Sequence, residues 1–298
     1  MRTRALVAAL SLALPAPHAA GAPGAAPASV TITATVLGGA GLAKTDVRLF
    51  VDGAPRPVEG WTEAGDLHLA ILIDEAAARS AGESWNDLRA FVLAQAATTR
   101  VAVAYLRNHV PNLVQDFTTD REAAAGALRP PRGAGGASNP YRAALELVER
   151  WPRDGRRRSI LLVSPGVDFF QGIHQGPLVR DVDPLVQAAQ DRNVNVWTVF
   201  VPGGGHRGRN YTHVSNGKDS LSRLALATGG EFFFPGPGAP DSLAPFFDEI
   251  AAHLASQRQL TFSAAPGERG RQLDLDVTTE APDAEILAPS AVRVPAGE

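Results

Sequence analysis

An acidic side chain stands where binding chemistry is common in proteins. Asp74 closes an apolar run, residues 67–73, whose composition is typical of a strand buried on both faces. Open α/β sheets hold their ligands just beyond the carboxyl ends of such strands. The Asp74 carboxylate either accepts hydrogen bonds from the backbone of the following loop or contacts a partner directly. The sequence favours the first role, because acids that follow strands and precede helices commonly act as caps.

A serine ends the second apolar run and raises the alternative of a serine hydrolase. Ser164 would need a histidine and a carboxylate in order to act as a nucleophile. The nucleophile-elbow pattern Gly-x-Ser-x-Gly is half met, because Gly166 follows Ser164 but Leu162 occupies the first glycine position. His68 lies inside an apolar run and is expected in the core. We therefore expect no catalytic residues and no enzyme activity.

Polar loops contain further side chains that could bind an ion. Three histidines and three aspartates lie on these loops, but their spacing matches no recurrent ligand pattern. The glycine-rich stretch 203–209 lacks the lysine and the hydroxyl residue of a phosphate-binding loop. We expect loops that face water, with no metal and no cofactor. The side chains concerned are His174, His206, His213, Asp168, Asp181 and Asp183.

Composition narrows the classes of function. The chain of 298 residues has a formal net charge of -3, whereas nucleic-acid binders usually carry a concentrated basic face, so no nucleic-acid partner is expected. The arginines between positions 153 and 158 are expected on a solvated turn. Cysteine is absent, which excludes disulfides, thiolate metal sites and a cysteine nucleophile.

The amino terminus predicts export. Arg2 and Arg4 precede a short apolar core, residues 5–14, and small residues follow it. This pattern is typical of a secretory signal peptide, here residues 1–22, with an Ala/Pro/Gly linker over residues 23–29. A retained membrane anchor is the alternative, although the core is short for a bilayer span. We expect a secreted or periplasmic protein with no membrane span after signal-peptide removal.

The rest of the chain alternates strands and helices. Residues 30–66 are predicted to form a β segment, residues 67–257 an α/β domain, and residues 258–298 a β extension. This order predicts an α/β fold with a doubly wound, mostly parallel central sheet, helices on both faces, and flanking β segments at both ends. The central strands are expected near Leu69, Val103, Ile160, Val196 and Phe232.

Capping residues predict where the helices begin. Ser138 or Asn139 is expected to cap a helix that has a proline at its first position. Thr119 opens a capping box for a short helix. Asp219 is expected to cap a later helix that ends at the glycines 229–230.

Taken together, these stretches resemble the von Willebrand factor A-type domain, and more narrowly the bacterial secreted proteins described as VWFA-related. The resemblance runs from about residue 30 to residue 295, and it depends on the order and spacing of several short stretches. Those stretches are residues 46–58, 69–74, 116–121, 158–164, 227–235 and 250–257. The resemblance implies the α/β fold predicted above.

Members of that family commonly bind a divalent cation through an Asp-x-Ser-x-Ser motif, a threonine and a later aspartate. Asp74 matches the first acid, but Ala76 and Ala78 stand in the places of the two serines. Ser138 lies near the threonine position, and Pro165 stands where the last aspartate is expected. Because methyl groups and a proline ring cannot ligate, we expect a degenerate metal-ion-dependent adhesion site without a metal.

The resemblance implies a metal-independent module for protein–protein interaction, such as adhesion or scaffolding, whose protein partner is unknown. The alternatives are a cation-dependent adhesion domain with unorthodox ligands and the serine hydrolase. Because loops on a rigid sheet commonly carry function, we expect the contacts to lie beyond the strand ends. The candidate partner-binding residues are Asp74, Glu75, Ser138, Asp168, Phe169, Phe170 and Arg207.

Overall fold

A computed structural model describes residues 26–38, 41–78, 84–132, 139–151, 154–168, 180–204, 211–238 and 241–296. The strands in these ranges are β1 (Ala28–Gly38), β2 (Val47–Val51), β3 (Ala54–Arg56), β4 (Gly60–Glu63), β5 (Leu67–Asp74), β6 (Arg100–Arg107), β7 (Val110–Thr118), β8 (Arg157–Ser164), β9 (Val194–Phe200), β10 (Phe232–Phe233), β11 (Gln257–Ala264), β12 (Gln272–Thr279), β13 (Ala284–Leu287) and β14 (Ala291–Arg293). The helices are α1 (Ser84–Leu93), α2 (Arg121–Gly126), α3 (Pro140–Arg150), α4 (Val182–Asp191), α5 (Tyr211–Ala227) and α6 (Ala244–Ala255).

The central sheet has six strands in the order β10-β9-β8-β5-β6-β7. Five of them run parallel to one another, and β7 pairs with β6 antiparallel at one edge, so the sheet is mixed. The strands predicted for its centre are all present, although β10, which contains Phe232, forms an edge of the sheet and not its centre, and the α/β class is confirmed. From β5 the chain continues to β6 on one side of the sheet and then crosses to β8 on the other side, so the strand order reverses between β5 and β8. At such a reversal a crevice opens beyond the carboxyl ends of the strands.

Apolar side chains on both faces of this sheet explain why β5, β8 and β9 are buried along nearly their whole length. One face packs against α1, α2 and α6 through a core that includes Trp85, Phe91 and Phe247. The other face packs against α3, α4 and α5 through Tyr141 and Leu221, among others. Strands that are covered by helices on both sides have no face in contact with water, which is why their sequences are continuous apolar runs.

The two ends of the chain come together in a small β sandwich. One four-stranded sheet has the order β13-β1-β11-β4 and the other has the order β14-β12-β2-β3. Within them β1 pairs with β11 and β2 pairs with β12, so the predicted amino- and carboxyl-terminal β segments share both sheets. Ile32, Leu49, Phe262 and Leu273 lie in the core between the sheets. The first strand begins at Ala28, inside the predicted linker 23–29.

The sandwich is joined to the central sheet at the amino ends of β8 and β9. Arg157 donates to the backbone carbonyl of Leu254 at 2.6 Å and to Oε1 of Gln257 at 2.5 Å. Asn195 donates to the carbonyl of Thr33 at 3.3 Å. The prediction that the arginine cluster lies on a solvated turn is therefore wrong for Arg157, which joins two parts of the fold.

Two predicted helix starts are wrong. The cap of α2 is Asp120, whose carboxylate accepts from the amide of Ala123 at 3.0 Å, and not Thr119. Both side chains are good caps, and only Asp120 reaches the free amide. Helix α5 begins at Tyr211, eight residues before the predicted cap Asp219, and continues through Gly217. The cap of α3 is Asn139, as one of the two predicted alternatives has it.

No helix in the described ranges has both the length and the apolar character that crossing a bilayer requires. The predicted signal peptide, residues 1–22, lies outside those ranges.

Candidate functional site

Asp74 and Ser164 meet at the carboxyl ends of β5 and β8, where the strand order reverses. The hydroxyl of Ser164 donates to Oδ2 of Asp74 at 2.8 Å, and the amide of Ala76 donates to Oδ1 at 2.9 Å. The same hydroxyl accepts from the amide of Gly166 at 2.9 Å. Asp74 and Ser164 are both fully buried. The expectation that Asp74 accepts hydrogen bonds from the following loop is therefore confirmed.

The methyl group of Ala76 lies where the resembled family has a metal-ligating serine. Ala76 is buried and packs against Val167 in the loop after β8. The segment that contains it is tied to the loop after β9, because Ala78 donates its amide to the Pro202 carbonyl and Gly204 donates its amide to the Ala76 carbonyl, each at 2.8 Å. Apolar packing and backbone hydrogen bonds thus join three loops at this end of the sheet.

A neutral amide connects two further carboxylates. Nδ2 of Asn139 donates to Asp168 at 3.0 Å and to Asp181 at 2.5 Å, and its Oδ1 accepts from the amide of Arg142 at 3.0 Å. One side chain therefore caps α3 and connects it to the loops before α4 and after β8. An amide nitrogen has two hydrogens, so it can serve both carboxylates at once.

Tyr141 and a pair of glycines position the loop after β8. The buried phenol of Tyr141 donates to the Gly166 carbonyl at 2.9 Å. Burial raises the pKa of Tyr141 well above its ordinary value despite a hydrogen bond from Ser220, so the phenol remains a donor. Gly166 has φ +68°, and a Cβ on Gly217 would lie 2.4 Å from the Pro165 carbonyl oxygen. Helix α5 therefore lies against this loop only because neither glycine has a side chain.

Glu75 belongs to a separate cluster beside the first. Its carboxylate accepts from the Arg129 guanidinium and, at 2.7 Å, from the amide of Arg132. The guanidinium lies 3.8 Å from the ring centroid of Tyr105, and the Tyr105 hydroxyl bonds to the backbone of Arg129. Burial opposes the charge of Glu75, but the two arginines outweigh it, and the pKa of Glu75 lies below its ordinary value.

The predicted site residues that the structure describes are buried. The exposed fractions are 0% for Asp74, 5% for Glu75 and 4% for Asp168, so these carboxylates offer a partner little surface. Asp74 is the last residue of β5 and Asp168 lies in the loop after β8, whereas the carboxylate of Glu75 binds Arg129. The other candidates, Ser138, Phe169, Phe170 and Arg207, lie outside the described ranges, as do His174 and His206.

Ser164 of the hydrolase alternative and His68 occupy different parts of the sheet. Ser164 lies at the carboxyl end of β8, whereas His68 lies near the amino end of β5 and is 2% exposed. The His68 ring stacks on Phe117, and its Nε2 lies 3.4 Å from the Asp154 carboxylate. Burial lowers the pKa of His68. The prediction of a core histidine is confirmed.

Sequence reasoning missed two contributors to this site. Asn139 was recognised only as a helix cap, although its amide also holds Asp168 and Asp181 together. Tyr141 is not among the residues predicted for the site, although its hydroxyl donates to the Gly166 carbonyl. A signal for Asn139 was present, because an asparagine can cap with its oxygen and still donate twice with its nitrogen. A signal for Tyr141 was absent, since its acceptor is a distant carbonyl.

Comparison with known proteins gives relatives in structure alone. No family model and no curated protein sequence matches the chain. It is similar to a von Willebrand factor type A protein from Catenulispora acidiphila, with a TM-score of 0.46 and 12% identity over 90% of this chain and 74% of that one.

Two further solved structures are similar to this chain. An aerotolerance-related membrane protein from Bacteroides fragilis has a TM-score of 0.47 and 13% identity over 63% of this chain and 98% of that one. The von Willebrand factor domain of the pili tip protein Mfa5 from Porphyromonas gingivalis has a TM-score of 0.42 and 13% identity over 64% of this chain and 94% of that one. The neighbours in structure thus include von Willebrand factor A-type domains.

Proposed function

We propose that this chain is an exported protein–protein interaction module whose loop end, beyond the carboxyl ends of β5, β8 and β9, contacts a protein partner without a metal at Asp74. One observation carries the proposal: both oxygens of the Asp74 carboxylate accept hydrogen bonds from the protein itself, from Ser164 and from Ala76. The proposal follows the class of function that the sequence resemblance implies.

Ligand supply supports metal independence at this position. A hard divalent cation such as Mg²⁺ needs about six oxygen ligands in a near-octahedral array. The side chains beside Asp74 are the methyl of Ala76, which packs against Val167, and the hydroxyl of Ser164, whose hydrogen already points at the carboxylate. A cation at Asp74 would have to displace two good hydrogen bonds in a buried site, which costs about 1–3 kcal/mol for each polar group left unpaired.

Exposed aromatic residues near the loop end are the best candidates for partner contacts. Tyr211 is 86% exposed at the start of α5, which follows the loop after β9. Phe234 follows β10 and is 40% exposed, and the ammonium group of Lys218 lies 4.7 Å from its ring centroid. Tyrosine and phenylalanine are enriched at protein interfaces relative to the rest of the surface. In this proposal the buried acids position the loops, and the aromatic rings make the contacts.

The same hydrogen bonds make Ser164 a poor nucleophile. Its hydroxyl donates directly to a carboxylate, it accepts from the Gly166 amide, and it is fully buried. A catalytic serine instead donates to a base that can pass the proton on to a leaving group. We therefore propose a function without catalysis, and we expect a fluorophosphonate probe to leave Ser164 unlabelled.

Capture of partners by the immobilised chain tests the proposal. We expect proteins from the surface fraction of the source cells to be retained equally in EDTA and in Mg²⁺. The double variant Tyr211→Ala and Phe234→Ala is expected to lose them, because it removes both exposed rings. Leu226→Ala is the matched control, since Leu226 is 56% exposed at the opposite end of α5.

Two outcomes would overturn the proposal. Retention that requires Mg²⁺ and disappears in EDTA would favour the cation-dependent alternative. Retention that is equal in the double variant and in Leu226→Ala would show that the loop end is not the contact surface. Sequencing the amino terminus of the mature protein tests export, and we expect it to begin after residue 22.

A further inference from the structure

Two glutamates and a histidine gather at the β10 edge of the central sheet, away from Asp74. Glu249 and His253 are four residues apart on α6 and therefore lie on one side of that helix. Glu231 immediately precedes β10. Because side chains two residues apart on a strand point to the same face, Glu231 lies on the same face as Phe233, which packs in the core beneath α6. The fold thus brings a strand-end acid under an acid–histidine pair.

Their ligand atoms are close enough to share one ion. One nitrogen or oxygen from each of Glu231, Glu249 and His253 lies within 4.8 Å of the others. Nδ1 of His253 is 3.5 Å from Oε2 of Glu231, too long for a good hydrogen bond. Both of these atoms are buried and lack a hydrogen-bond partner. Unsatisfied polar atoms that face one another inside a protein indicate that something is expected to lie between them.

Acidic and aromatic side chains surround the cluster. Burial raises the pKa of Glu231, and the negative charges of Glu249 and Glu285 raise it further. Burial lowers the pKa of His253, against the effect of Glu249. The rings of Trp197 and Phe233 lie 5.5 Å and 6.3 Å from the imidazole and shield one side of the cluster.

We propose that Glu231, Glu249 and His253 form a binding site for one divalent transition-metal ion of the zinc class. One imidazole nitrogen and two carboxylates are ligands that Zn²⁺ accepts, and three protein ligands leave a position for water. Mg²⁺ and Ca²⁺ prefer sites built from oxygen alone, so the histidine selects against them. A metal here would fasten α6 to the start of β10, the shortest strand of the sheet.

Calorimetry with ZnCl₂ on the metal-stripped full chain tests this site. We expect one zinc ion per chain, with a Kd of about 10 μM or tighter. The variants Glu249→Gln and His253→Gln are each expected to weaken binding by about tenfold or more, because each removes a ligand. Asp248→Asn is the matched control, since Asp248 is exposed on the same helix, and it is expected to bind as the wild type does.

Two controls separate loss of zinc binding from misfolding and from binding at the loop end. Glu249 is exposed, so Glu249→Gln is expected to fold normally even if His253→Gln does not, and circular dichroism checks both. Asp74→Asn is expected to leave zinc binding unchanged, which separates this site from the loop end. The absence of stoichiometric binding, or binding that survives in Glu249→Gln as in the wild type, would overturn the proposal and leave the cluster as three neighbouring side chains without an ion.

Discussion

The hydroxyl of Ser164 donates to Oδ2 of Asp74 at 2.8 Å across two neighbouring parallel strands. This bond joins the ends of β5 and β8 where the strand order of the sheet reverses. It also orients Ser164 to accept from the Gly166 amide, so that it fixes the turn after β8. A position that commonly receives a ligand in α/β sheets is thus closed by the protein's own donors.

Replacing Ser164 with alanine tests this bond. The variant removes the hydroxyl that donates to Oδ2 of the buried Asp74 and accepts from the Gly166 amide. We expect Ser164→Ala to lower the free energy of unfolding by about 1–3 kcal/mol, measured by urea denaturation. Thr31→Ala removes an exposed hydroxyl from β1 and is expected to change stability by less than about 0.5 kcal/mol. Equal effects of the two substitutions would contradict the structural role of Ser164.

Asn139 permits a separation of its two roles. Asn139→Asp keeps an oxygen to cap α3 but replaces the amide nitrogen between Asp168 and Asp181 with a third acid. We expect it to lower the free energy of unfolding by about 2–4 kcal/mol, since three carboxylates would then face one another and the donations from the amide nitrogen to Asp168 and Asp181 would be lost. Chemical denaturation measures the loss. An unchanged midpoint would show that the amide bridge contributes nothing.

Acid sensitivity follows from Glu75. Its folded-state pKa lies below the ordinary value of 4.5, so its stabilising contribution is complete above that pH and is lost as the pH falls through the lower, folded value. We expect the Tm of the wild type to exceed that of Glu75→Gln at about pH 6, and the difference to shrink by about pH 3. Differential scanning calorimetry across this range measures it.

The control for this comparison is Glu280→Gln. The Glu280 side chain is 83% exposed, and its contact with Arg48 is 3.9 Å long. Surface ion pairs of this kind contribute little to stability, so the Tm of Glu280→Gln is expected to match that of the wild type at every pH. A gap between wild type and Glu75→Gln that widens toward acid pH would have the wrong sign for this account.

Gly217 provides a steric test of how α5 lies against the site. A Cβ at this position would lie 2.4 Å from the Pro165 carbonyl oxygen, so the loop or the helix must shift in Gly217→Ala. We expect a loss of about 1–3 kcal/mol in unfolding free energy. Gly126→Ala is the matched control because nothing lies within 4 Å of the added atom, and it is expected to be neutral or slightly stabilising. Circular dichroism with urea measures both variants.

Local patterns were sufficient to predict much of the fold. The apolar runs of β5 and β8 each carry their signal within a few residues. The predicted cap of α5, Asp219, lies inside the helix, and so does Gly217, which has low helix propensity but permits a close approach to Gly166. The close approach depends on a distant part of the chain, so local helix propensity does not predict it.

The candidate site shows the same division. The missing ligands at Ala76 and Pro165 are visible in the sequence, and so is the position of Asp74 at a strand end. That the Asp74 carboxylate bonds to Ser164, ninety residues away, depends on strand order and register. The cluster of Glu231 with Glu249 and His253 likewise depends on the placement of α6 over β10. Only the four-residue spacing of Glu249 and His253 is visible in the sequence.

Calorimetry with Mg²⁺ tests the central claim, that the protein's own donors occupy the Asp74 carboxylate. The titration compares chains with Asp74 and with Asp74→Asn, both carrying Glu249→Gln so that the second cluster does not contribute. We predict equally weak heats in the two proteins, with any Kd above about 1 mM, or about -4 kcal/mol. A Kd well below about 1 mM that is present with Asp74 and lost in Asp74→Asn would contradict the account.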